Sequence, residues 1–228
     1  MHRFFSDKSN FLNNFVVLQG SDVNHIRTVL RLTLGDEIEV LDGEGSLYLV
    51  RLAELKNKLI KCEILSSEKN DTESPLKIHL GQSLVKGNGF DVILRKAVEL
   101  GVHSISPLLT ERTVKKSDSE KKIIRWKKIA EESSKQCGRS SIPKILNSIV
   151  KLETFCQQAS DSDLKLIFWE MENKKSLKDI NPETPPSSTS VLIGPEGGFT
   201  QEEIETARSY GFHSLRLGPR IFLSLIHI

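Results

Sequence analysis

Three cysteines in 228 residues, Cys62, Cys137 and Cys156, are too few and too scattered for a disulfide framework. With neither C-x-x-C spacing nor a histidine cluster beside them, they offer no zinc site and read as small packing residues. No apolar run is long enough to span a bilayer, and polar Ser6-Asp7-Lys8 stands where a secretory leader would carry its apolar stretch. The expectation is a cytoplasmic protein with no membrane partner and no metal. Neither G-x-x-x-x-G-K-[ST] nor G-x-G-x-x-G occurs, which argues against a P-loop nucleotidase and a Rossmann dehydrogenase. Net charge is only +2, so the total charge alone predicts no nucleic-acid partner. No internal repeat points to a solenoid.

What is present describes an ordinary globular chain, 27% charged and 38% hydrophobic, long enough for one or two domains with a real core. The polar stretch at residues 66–75, closed by Pro75, reads as an interdomain linker. Before it, alternating segments at residues 15–18, 37–41, 47–52 and 59–64, with turns at Asp42-Gly43 and Glu44-Gly45, predict a small β-barrel or sheet. After it, apolar strands at residues 76–85, 103–109, 164–169 and 190–193 alternate with helical segments, the rhythm of a mostly parallel α/β sheet. Residues 181–188, with three prolines, read as a loop.

The most informative run is Gly194-Pro195-Glu196-Gly197-Gly198-Phe199-Thr200, directly after apolar Ser190-Val191-Leu192-Ile193. Thr200-Gln201-Glu202-Glu203 is a capping box, so a helix starts there and the glycines lie at a strand-to-helix turn where a ligand could meet bare backbone. An ordinary structural turn is the alternative. Gly211 stops that helix, and a further apolar strand breaks into Leu217-Gly218-Pro219-Arg220-Ile221. Charge is also unevenly placed: residues 112–144 hold eleven basic side chains against four acidic, either a solvated helix face or a surface that neutralises phosphates. Trp126, spaced with Ile123 and Ile129, is expected to anchor core rather than stack on a base.

Strand, GPEGG turn, capped helix, glycine stop, strand and LGPRI turn together resemble the RsmE family of SPOUT methyltransferases, which methylate N3 of a uridine in 16S ribosomal RNA of the small ribosomal subunit. The opening Met1-His2-Arg3-Phe4-Phe5, then His25-Ile26-Arg27-Thr28-Val29-Leu30-Arg31 and Val40-Leu41-Asp42-Gly43, resemble that family's amino-terminal RNA-binding barrel. Lys86-Gly87, Lys96-Ala97-Val98-Glu99-Leu100-Gly101-Val102, Pro107, Thr110-Glu111-Arg112 and Gln136-Cys137-Gly138-Arg139 resemble its catalytic domain. The resemblance implies an α/β fold: a PUA-like barrel over residues 1–72, a SPOUT domain over residues 75–221 with a carboxyl-terminal trefoil knot, here incomplete, and a homodimer. It implies S-adenosylmethionine as cofactor, lined by Gly194, Pro195, Glu196, Gly197, Gly198, Leu217, Gly218 and Ile221, with Glu170 at the edge. Arg220 would hold the base or its developing charge. Arg3, Arg27, Arg31, Arg112, Lys115, Lys116 and Arg139 would meet RNA, Arg139 reaching either phosphate or the active site. No residue is singled out as the general base, and His25 and His103 read as structural.

The resemblance fails after Ile221, where Phe222-Leu223-Ser224-Leu225-Ile226-His227-Ile228 replaces the family's acidic-threonine motif and long apolar helix. Residues 222–228 are accordingly expected to be a non-native tail, Leu-Ser-Leu-Ile-His-Ile being what a common sequencing adaptor encodes. Two other functions stay open: methylation of a ribose 2′-hydroxyl, and RNA binding without catalysis.

Overall fold

A computed structural model describes residues 1–69, 72–113 and 119–218. The chain divides into two units, Met1–Glu73 with Ser134–Ile142, and Ser74–Ser133 with Pro143–Ile228. The expected residues 222–228 tail and the knot lie outside the described residues.

The first unit is built on β1 (Arg3–Phe5), β2 (Phe11–Leu12), β3 (Phe15–Gln19), β4 (Glu37–Leu41), β5 (Ser46–Leu55) and β6 (Leu59–Lys69), in the order β1-β4-β5-β6-β3-β2. All neighbours pair antiparallel except β1 with β4. Alternation works as the pleat requires: Val16 and Leu18 of β3, Ile38 and Val40 of β4, and Ile60 and Cys62 of β6 point inward with Phe4, Val23 and Ile26. The turn between β4 and β5 is fixed by Asp42, whose carboxylate accepts from the Glu44 and Ser46 amides at 2.8 and 3.0 Å. Between β3 and β4 the helix α1 (Ser21–Asn24) runs into a π-helical turn over His25–Val29. Arg31 then takes φ +55°, a left-handed conformation rare for a residue with a side chain.

Part of the stretch read as linker is strand. Residues 66–69 continue β6 against residues 46–49 of β5, because hydrogen bonding across a ladder does not require apolar side chains. Glu73 follows and accepts from the Arg139 guanidinium at 2.5 and 3.2 Å and from the Ser140 and Ser141 amides. That carboxyl is held below its ordinary value: burial pushes it up, and the Arg139 contact and the Ser141 bonds outweigh burial.

The second unit holds a parallel sheet of β7 (Lys77–Ser83), β8 (Ser104–Leu109), β9 (Lys144–Ile145), β10 (Val150–Lys151), β11 (Leu164–Phe168), β12 (Ser188–Ile193) and β13 (His213–Leu215). The order is β10-β8-β7-β12-β11-β13, with β9 also on β8. Four further helices accompany it: α2 (Gly89–Glu99), α3 (Ser119–Cys137), α4 (Leu152–Gln158) and α5 (Gln201–Ser209). Phe155 and Cys156 of α4 and Ile204 and Ala207 of α5 share one core with Leu108, Ile167, Trp169, Leu192, Phe199 and Phe212. Trp126 is buried as expected, its ring 4.3 Å from that of Phe90, which joins α2 to α3. Because every strand runs the same way, every loop leaving a carboxyl end emerges at one edge of the sheet. The path from β7 leads outward to β8 on one side while β12 lies on the other, which makes a crevice at that edge the place for a ligand.

Candidate functional site

The glycine turn leaves β12 at this edge. Thr200 caps α5, its hydroxyl accepting from the Glu203 amide at 3.3 Å while Glu203 accepts from the Thr200 amide at 2.9 Å. The other Glu203 oxygen accepts from the Glu111 amide at 2.9 Å, so the helix cap also anchors the loop after β8. Glu196 accepts from the Lys86 amide at 2.8 Å, which ties the turn to the loop after β7. From the β8 loop, the Arg112 guanidinium donates to the Gly197 carbonyl at 2.5 Å. Two loops distant in sequence therefore set the shape of one five-residue turn.

Two of its glycines lie close against neighbouring side chains. A Cβ on Gly197 would sit 3.3 Å from the Arg112 side chain. Gly198 has φ +67°, a conformation that favours glycine, and a Cβ there would lie 2.1 Å from the Glu170 carboxylate, so that exposed side chain would have to swing away. Glu170 follows β11 and stays exposed, and among the described residues nothing pairs with its carboxylate. Pro195 and Phe199 are buried beneath the turn while Gly197 is open to solvent. Beside Glu170, the Glu172 carboxylate accepts from the Lys174 amide at 3.0 Å, the Ser214 hydroxyl at 3.0 Å and Arg208 at 3.2 Å. Its pKa is held down, first by the Lys174 amide. The last loop follows β13, with Leu217 exposed and Gly218 at φ +73°.

Of the expected cofactor residues, the structure brings Gly194, Pro195, Glu196, Gly197, Gly198 and Glu170 together, and puts Leu217 and Gly218 on the loop after β13, at the same edge of the sheet. Ile221 and Arg220 lie outside the described residues, as do Lys115 and Lys116. The expected RNA contacts divide. Arg31 is exposed, whereas Arg27 donates to Asn57 Oδ1 at 2.8 Å and Arg3 pairs with Glu39 at 2.7 Å. Arg112 serves the glycine turn, and Arg139 is buried against Glu73. Cys62 and Cys156 are no nucleophiles, since burial pushes both thiols up to about 12. Sequence reading missed the joint role of Glu203 and the organising role of Glu172. The capping box signalled the first only as a helix start, and a lone acid before two lysines gave no signal for the second.

Comparison with known proteins agrees with this geometry. The RNA methyltransferase domain matches residues 72–223, and the RNA methyltransferase PUA domain matches residues 18–65. Ribosomal RNA small subunit methyltransferase E of Mesomycoplasma hyopneumoniae is 35% identical over 98% of this chain and 94% of its own length. The protein of that name from Aquifex aeolicus is 34% identical over 96% and 92%. Among solved structures, the ribosomal RNA small subunit methyltransferase E of Neisseria gonorrhoeae, bound to S-adenosylmethionine, superposes with a TM-score of 0.84 at 32% identity, over 97% of this chain and 91% of that one. A Legionella pneumophila methyltransferase in complex with the same cofactor gives 0.86 at 33% identity, over 96% and 90%. With a PUA-like amino-terminal unit, a parallel α/β sheet and a glycine turn shaped for a ligand, the chain belongs to the RsmE family of SPOUT RNA methyltransferases.

Proposed function

We propose that this protein transfers a methyl group from S-adenosylmethionine to N3 of a uridine in 16S ribosomal RNA of the small ribosomal subunit. The observation that carries the reading is the carboxyl edge of the parallel sheet, where bare backbone at exposed Gly197 and half-buried Gly198 lies beside the exposed Glu170 carboxylate, which has no partner among the described residues. That donor set fits the cofactor. Backbone groups of the turn suit the polar edge of an adenine, and a carboxylate suits ribose hydroxyls or the cofactor's positive charge. When bound, the cofactor supplies an activated methyl on a sulfonium.

The residues of the chain have three tasks around it. Gly194, Gly197, Gly198, Leu217 and Gly218 form the wall of the pocket, and Arg112, Glu196 and Glu203 keep that wall in shape before any ligand arrives. Uridine N3 becomes nucleophilic only on losing its proton, so a cation that stabilises the resulting anion lowers the barrier; Arg220 is our choice for that cation. RNA is held by exposed cations, Arg31 and Arg27 in the first unit and the basic face of α3 in the second. Exposed Met171, Leu177 and Leu217, all outside the sheet of the second unit, supply apolar surface for a homodimer. A ribosomal RNA substrate places the protein in the cytoplasm, and among the described residues no helix is long and apolar enough to cross a membrane.

The test is incubation of the chain with methyl-labelled S-adenosylmethionine and small-subunit particles lacking the modification, then nucleoside mass spectrometry. Label on the uracil ring at N3 is expected. Label on a ribose 2′-oxygen would replace the reading with the sugar methyltransferase, and absence of label with RNA still bound would leave an RNA-binding protein.

A further inference from the structure

The loop between β7 and α2 carries a second feature that the glycine turn does not use. Leu84, Lys86, Gly87, Asn88 and Phe90 form one side of a recess of about 120 Å³, and Lys122, Arg125 and Trp126 of α3 form the other. At roughly 30 Å³ of liquid per water molecule, this space admits a group of four or five heavy atoms. Its charge is predominantly positive. Lys86, Lys122 and Arg125 line it against one acid, Asp91, whose carboxylate is already taken by the Arg125 guanidinium and by the Trp126 indole N–H at 3.1 Å. The ion pair with buried Asp91 keeps the exposed Arg125 beside the recess, and the ring contact of Phe90 with Trp126 gives it an apolar floor. The amino end of the eleven-residue α2 opens on the same side, where Asn88 makes no side-chain cap, so the helix dipole adds to the positive field.

We propose that this recess is a phosphate subsite for the RNA substrate, occupied by a backbone phosphate close to the nucleotide being modified. The proposal rests on the methyltransferase reading above. Its position follows from one bond: the Lys86 amide donates to Glu196 of the glycine turn, so the side chain that reaches the recess and the backbone that shapes the cofactor wall belong to the same residue. A phosphate held by Lys86 and Lys122 fixes the register of the strand without reading its sequence, which is the usual division of labour in nucleic-acid recognition. Asp91 contributes no net repulsion because Arg125 neutralises it.

The experiment compares wild type with Lys122→Glu and with the double variant Lys86→Gln/Lys122→Gln. Lys96→Gln, at the far end of α2 and paired with Glu99, controls for the loss of one charge. Each is assayed for binding to a small-subunit RNA transcript between low and moderate salt, for S-adenosylmethionine binding by calorimetry, and for KM and kcat. The double variant is expected to lose RNA affinity at least tenfold at low salt, and its log-affinity against log-salt slope should fall by about 0.7 to 0.9, the change for one phosphate contact removed. KM for RNA should rise while kcat and cofactor affinity hold, and Lys122→Arg should restore binding. An unchanged RNA affinity and slope in a folded variant would overturn the proposal. So would lost cofactor affinity with RNA binding intact, which would assign the recess to the cofactor's own carboxylate. A wild-type chain that neither binds the cofactor nor methylates would fail the underlying reading instead, an outcome the wild-type arm reports separately.

Discussion

The two units use their charged side chains differently. In the first, beside the backbone contacts of Asp42 and Glu73, charges meet charges: Arg3 with Glu39, Arg51 with Glu37, Lys135 with Asp22 and Arg139 with Glu73. At the carboxyl edge of the second, apart from Arg208 with Glu172, charges meet backbone. Arg112 holds the Gly197 carbonyl, Glu196 the Lys86 amide, Glu203 the Thr200 and Glu111 amides, and Glu172 the Lys174 and Lys175 amides. An ion pair such as Arg3 with Glu39 or Arg51 with Glu37 fastens strands whose shape the ladder already determines. A charge bonded to backbone determines the shape of a loop that no ladder reaches, and shaped loops are what a ligand site needs.

The contrast is open to direct challenge. The largest effect is expected from Gly198→Ala, which puts a side chain at φ +67° and displaces the Glu170 carboxylate: affinity for S-adenosylmethionine should drop more than 100-fold by calorimetry while the circular dichroism spectrum is retained. Arg139→Ala comes next and acts on stability instead. Leaving the part-buried Glu73 carboxylate with only its amide donors should lower the unfolding free energy by about 1.5 to 3 kcal/mol in urea, with cofactor affinity unchanged once folded. The pH dependence carries a matching sign. Because the Glu73 pKa is depressed in the folded state, its stabilisation is present above the ordinary carboxylate value of 4.5 and is lost as pH falls through the folded value. Wild type should therefore lose stability over that acid range, and a folded Arg139 variant should lose less. Arg112→Ala should weaken cofactor binding about tenfold with under 1 kcal/mol lost in stability, as an exposed side chain that shapes a loop would. The smallest effect belongs to Gly43→Ala: at φ +75° with nothing within 4 Å of its Cβ, it should cost about 1 to 2 kcal/mol and leave the cofactor isotherm untouched. A Gly43 variant that also lost the cofactor would break the comparison.

Legibility in the sequence followed the same division. The strands of the first unit showed through because Val16 and Leu18, or Ile38 and Val40, alternate with exposed neighbours, and period two is visible within five residues. The glycine turn and the start of α5 were visible because Thr200 and Glu203 are local partners. Residues 134–142 gave no such sign of belonging to the first unit, since Arg139 finds Glu73 across a separation that no local pattern encodes. Short β1, β9 and β10 carried too few residues for any periodicity. At the site, the residue types at residues 194–198 were recoverable but their supports were not. Arg112 reads as an exposed cation in a basic stretch, and only the fold puts it on a carbonyl eighty-five residues away.

One carboxylate in this structure links the opening of two segments. Glu203 grips the Thr200 amide with one oxygen and the Glu111 amide with the other. The amide hydrogens of Thr200 and Glu111 should therefore exchange with solvent through a common opening event, at a similar free energy, although neither touches the other. Local unfolding of the α5 cap would then free the loop that presents Arg112 in the same motion, so the glycine turn would relax its shape in one step rather than fray residue by residue.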